Sequence, residues 1–142
     1  MRRSAGFLGL TVLTLVGVFA VVGITAGAAF ANITTFTIDE DATLAPGGLQ
    51  VVVTGTLLCT PGDTASILII VAQDRGQQTA TANGSSGTIA CDGTLQDWGI
   101  TASSNSPFKN GPAAARGTAS STSPGMPPTF DSAMATARLH LH

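Results

Sequence analysis

The sequence predicts an all-β antiparallel sandwich of about seven strands, held by one disulfide and preceded by a signal-peptide helix. Three observations carry that reading. Stepping back by two from Cys59 gives Leu57, Gly55, Val53, Val51 and Leu49, an apolar set that a strand turns toward one face. The chain holds 2 cysteines, Cys59 and Cys91, behind an N-terminus laid out for export. After that N-terminus no helical period appears, and turn signals rich in Gly, Pro, Asn and Asp recur at short intervals.

Residues 1–31 read as a secretory signal peptide and residues 32–142 as the domain. Met1-Arg2-Arg3 is the positive end, an uncharged apolar stretch follows from Phe7, and Ala29-Phe30-Ala31 is the small-x-small cleavage site. The span from Ala5 to Ala31 is also long enough to cross a bilayer, so an uncleaved segment would be a membrane anchor. Removal of Arg2 and Arg3 leaves 4 cations, Arg75, Lys109, Arg116 and Arg138, against 8 acids, a net charge of −4. An acidic chain with scattered cations has no footprint for nucleic acid.

Taken in order, Thr34 to Ile38 alternates as a first strand with Phe36 and Ile38 inward, and Asp39-Glu40-Asp41 ends it. Pro46-Gly47-Gly48 turns the chain into the cysteine strand. Ile67 to Ala72 is apolar on both parities and is expected to be covered on both faces. Asp74-Arg75-Gly76 makes the next hairpin. Gln77 to Cys91 is expected to be one net pass kinked at Asn83-Gly84, because two separate strands would carry Cys91 to the wrong end for a bond to Cys59. Trp98, Ile100 and Ala102 share a face of the following strand, and Trp98 is the core anchor, expected against the cystine and the cysteine strand. Small residues at Ala113, Ala115, Gly117 and Ala119 imply close approach of layers, and Ala133 to Leu141 alternates as the last strand. Seven passes fit an immunoglobulin-like sandwich.

Cys59, Cys91-Asp92-Gly93, Trp98 and Phe108-Lys109-Asn110-Gly111-Pro112-Ala113 resemble the small secreted two-cysteine β-sandwich domains of unknown function from high-GC Gram-positive bacteria. That resemblance implies export and a sandwich fold, and it carries no catalytic residue. A weaker likeness is to neocarzinostatin-type apoproteins, exported acidic sandwiches that carry a chromophore.

No constellation points to catalysis. His140 and His142 could share a metal, but a solvated tail explains them. No Gly-x-Ser-x-Gly elbow exists for a serine nucleophile, and Asp92 and Asp97 are explained by a turn and an outward strand position. Asn32-Ile33-Thr34 and Asn83-Gly84-Ser85 match the glycosylation pattern of eukaryotic hosts. Alternating strands gather Asp39, Glu40, Asp41 and Asp74 with Phe108, Lys109 and the histidines at the end opposite the disulfide, the expected binding end, with a weak divalent-cation site as its most specific form.

The expected function is therefore a secreted, non-catalytic domain, structural or ligand-binding at the cell envelope or in the medium. The alternative is a small-molecule chromophore carrier, and a secreted hydrolase comes third. No cofactor and no metal are expected. The partner is an unknown extracellular or envelope ligand, and the membrane is met only through an uncleaved signal segment.

Overall fold

The computed structural model describes residues 31–142, so the expected signal peptide and all of its cleavage site but Ala31 lie outside the described residues. Among the described residues nine strands form and no helix: β1 (Ile33–Phe36), β2 (Asp41–Leu44), β3 (Gln50–Cys59), β4 (Thr64–Asp74), β5 (Thr79–Ser85), β6 (Ile89–Ala90), β7 (Gln96–Ser104), β8 (Gly111–Ser123) and β9 (Thr129–Leu141).

The sequence predicts two separate sheets, whereas the ladder β3-β2-β9-β8-β4-β5-β7 returns to β3 and closes a seven-strand barrel. Two short seams make the difference. β2 pairs antiparallel with β3 and parallel with β9, through Asp41↔His140 and Ala42↔Leu141. β5 meets β7 at Ala82↔Ser104 and Asn83↔Ser103. A four-residue strand that starts on the last of three acids reads as loop in sequence, so β2 and its closure are not legible there. β1 reaches β9 differently, by side chains: Ile33 N–H donates to Asp131 Oδ2 at 2.8 Å and Ala31 N–H to Thr129 Oγ1 at 2.9 Å.

The cysteine strand has the expected phase. Val51, Val53, Leu57 and Cys59 are buried, but Leu49 lies outside β3 and is exposed, because the chain is still turning out of Gly47-Gly48 there. β5 and β6 both run antiparallel to β4, at Leu68↔Ser85 through Asp74↔Thr79 and at Thr64↔Ala90, which is one net pass. Its break falls between the two strands, after Ser85, rather than at Asn83-Gly84, whose residues stay in the ladder. That pass brings Cys91 to Cys59, with Cα atoms 5.5 Å apart and the bond formed.

Trp98 is buried, and it pairs across the ladder with Gly55. Its ring lies over that glycine of the cysteine strand and 5.7 Å from the ring of Phe36. The glycine is needed for this approach: a Cβ at Gly55 would stand 2.0 Å from the Thr37 carbonyl oxygen and 2.5 Å from Trp98 Cζ2. Because one of these neighbours is backbone and the other a packed indole, neither can move cheaply. Gly55→Ala is expected to cost about 2–3 kcal/mol of stability, measured by urea unfolding.

Candidate functional site

The expected binding end forms as a place. Asp41 pairs with His140, Pro112 also pairs with His140, and the loop bearing Lys109 is joined to β4, so these residues do share one end. The carboxylates of Asp39 and Asp74 have local tasks there. Asp39 Oδ2 accepts from Thr54 Oγ1 at 2.7 Å, Glu40 lends its carbonyl to His140 N–H, and Asp74 Oδ1 caps the hairpin by accepting from Gly76 N–H at 3.1 Å. Among the described residues no three His, Cys, Asp or Glu side chains are grouped to hold a metal ion. Calcium or zinc at millimolar concentration is accordingly expected to leave the melting temperature unchanged, and a rise of several degrees would show a site.

Phe108 lies at this end too, turned inward rather than onto the rim. It is buried as part of the core, and its N–H donates to the Gly48 carbonyl at 2.7 Å. The loop around it is latched by Gln73, a residue that sequence reasoning missed. Gln73 is the buried end of the inward set Ile67, Ile69, Val71, and its amide is used on both atoms. Nε2 donates to the Lys109 carbonyl at 2.8 Å, and Oε1 accepts from Lys109 N–H at 2.9 Å. A polar amide on the core parity of an apolar strand was the available signal, since such a group needs internal partners.

Asp92 and Asp97 are both exposed and neither forms a carboxylate pair for acid and base work. The Thr94 hydroxyl, and then its N–H, hydrogen-bond to Asp92 and hold its carboxyl below the ordinary value. That turn contributes its stability above the unfolded-state pKa, and the contribution is lost as pH falls through the lowered one.

The feature that remains unexplained by folding lies on the outside of β4, β8 and β9. β4 buries Ala65, Ile67, Ile69, Val71 and Gln73, so alternation turns Thr64, Ser66, Leu68, Ile70 and Ala72 outward. Nothing among the described residues covers them: Leu68 is 51 % exposed and Ile70 43 %. The expectation of cover on both faces is thus not met among the described residues. Half-exposed aliphatics of this size forgo about 1 kcal/mol each of burial energy, which folding alone does not account for.

Register places these residues in rows across the three strands. Leu68 lies beside Thr118 and Thr118 beside Met134, which is 66 % exposed. One row up are Ile70, Arg116 and Thr136, and one further are Ala72, Ala114 and Arg138. Below are Ser66, Ser120 and Ser132, then Thr64, Thr122 and Phe130, whose ring is 73 % exposed. The small side chains of Ala72 and Ala114 leave hollows beneath the arginines, one of about 370 Å³ between Ile70 and Arg138 and one of about 540 Å³ running on to Asp74 and Pro112. Arg116 Nη2 rests 3.2 Å from Met134 Sδ, and neither arginine joins an ion pair among the described residues. Chemically this is an apolar and hydroxyl-bearing surface that carries two guanidinium groups, one of them resting on Met134.

No protein-family model matches the sequence, and no curated protein matches it. A solved structure similar to it is AggA, the major subunit of aggregative adherence fimbriae type I from Escherichia coli, at 10% identity and a TM-score of 0.45, over 79% of this chain and 94% of that one. Neither family nor function follows from a likeness of that size.

Proposed function

We propose that the chain is an exported, non-catalytic β-domain that works by surface contact, as a structural or ligand-binding component at the cell envelope or in the medium. The observation that carries this reading is the uncovered apolar face of β4, β8 and β9, where Leu68, Ile70 and Met134 stand exposed in one patch. Exposed apolar residues gathered in this way mark contact surfaces more often than scattered ones do. The Cys59–Cys91 bond is compatible with an oxidising, extracellular location. The immunoglobulin-like description, and the resemblance to secreted two-cysteine domains of high-GC Gram-positive bacteria, belong to the same reading, and the shortness of the β2–β9 and β5–β7 seams supports it.

The test is retention on envelope material from the producing cells. The wild-type chain is expected to sediment with the envelope fraction, and the variant Leu68→Ser/Ile70→Ser is expected to stay in the supernatant with its fold intact. Equal partition of the two would remove the face from the account. The chromophore-carrier alternative asks for an apolar cleft within the barrel, yet the interior is filled by Val51, Val53, Leu57, Ile67, Ile69 and Leu139. An absorption band well beyond that of Trp98 in the exported material would favour it.

A further inference from the structure

We infer that the uncovered face is a self-association surface, on which a second copy of the chain stacks about a twofold axis lying along the row Leu68, Thr118, Met134. This deepens the contact reading above and rests on it. The argument is the way unlike groups are distributed on either side of that row. Four residues along β9 from Met134 in one direction lies Arg138, and four in the other lies Phe130. Both arginines of the face are above the row, and the rows below carry Ser66, Ser120, Ser132, Thr64 and Thr122 with the single protruding ring.

An axis along the central row exchanges the rows above with those below. Met134 then meets Met134 of the second copy, and Leu68 meets Leu68. Arg116 comes over Ser120 of the second copy, and Ile70 over Ser66. Arg138 comes over Phe130 of the second copy, and the symmetry repeats the contact, as an isologous interface requires. A guanidinium above an aromatic face is a favourable pairing. The ring also finds room there, because the hollow of about 540 Å³ is floored by Ala72 and Ala114 beside Arg138. An axis running parallel to the strands would return each row onto itself and set the two arginine rows of the copies against one another.

The face approaches the size that a stable interface needs. Three strands about 4.8 Å apart and roughly ten residues long present a flat area on the order of 500 Å² before side-chain relief is counted. Stable interfaces at the lower end of the standard class bury about 600 Å² of accessible surface on each partner. No ion pair crosses this interface, so two copies that each carry excess negative charge are expected to associate at least as well when salt screens their repulsion.

Sedimentation equilibrium of the exported chain tests the inference. The expected result is a two-copy species with a micromolar dissociation constant that persists in 0.5 M salt. Leu68→Glu is expected to weaken it at least 100-fold while the melting temperature of the dilute protein changes by only a few degrees. Phe130→Ala and Arg138→Ala are each expected to weaken it about 10-fold, and the double variant hardly more than either alone, since the two side chains face each other. A chain that stays monomeric at several hundred micromolar, a dimer indifferent to Leu68→Glu, or fully additive losses at Phe130 and Arg138 would each overturn it. So would an open-ended polymer dissolved by salt, which would instead signal the acidic rim docking on the arginines. Should the chain prove monomeric while Leu68→Ser/Ile70→Ser still abolishes envelope retention, the self-association fails and the contact reading stands.

Discussion

Replacing Cys59 and Cys91 together by alanine is expected to lower the free energy of unfolding by about 3 to 4 kcal/mol. The two cysteines are 32 residues apart, and a cross-link across such a loop acts chiefly by restricting the unfolded chain. In the folded state the backbone already holds the two segments, since Gly62 N–H donates to the Cys91 carbonyl at 3.0 Å and Cys91 N–H to the Asp63 carbonyl at 2.9 Å. The variant is therefore expected to fold to the same barrel with the same slope in urea and a lower midpoint. For a domain of this size, such a loss is a large share of its whole stability. A midpoint shift equivalent to less than about 1 kcal/mol would mean that the unfolded chain is already compact around this loop.

Trp98→Ala is the second large effect, expected at about 3–5 kcal/mol. The indole fills the space over Gly55 and beside Phe36, and neither neighbour can close the gap: Gly55 has no side chain, and Phe36 is already placed against Gly117 on the opposite wall. Trp98→Phe is expected to recover part of the loss. In the wild type the fluorescence should be that of a buried indole and resist quenching by iodide, since Trp98 is only 6 % exposed. Ready quenching would place the phase of β7 in error.

How far the sequence reached is visible at particular residues. The phase of β3 was legible because a strand with one dry side must alternate, and Val51, Val53 and Leu57 do. The path to Cys91 was legible because a disulfide has a short reach. Closure of the barrel was not, since it depends on Asp41–Leu44 bonding on both edges, and edge pairing leaves no mark in a four-residue segment. Phe108 beside Lys109 reads as a loop residue in sequence, and only its tertiary position against Gly48 shows that the ring is buried. The outer face is not legible in the sequence, for a physical reason. A run such as Ile67 to Ala72 reports that both sides favour contact, but it does not say that the same chain supplies both partners.

That division of the run into a core side and a free side is the central claim, and paired substitutions test it most directly. At a concentration low enough for the wild-type chain to be monomeric, the melting temperature of Leu68→Ser/Ile70→Ser is compared with that of Ile67→Ser/Ile69→Ser. Ile67 and Ile69 are 1 % and 0 % exposed, so their replacement is expected to unfold the domain, whereas the outward pair is expected to melt within a few degrees of wild type. Equal and severe losses from both pairs would contradict the account, because they would mean that the outer face is covered by this chain after all.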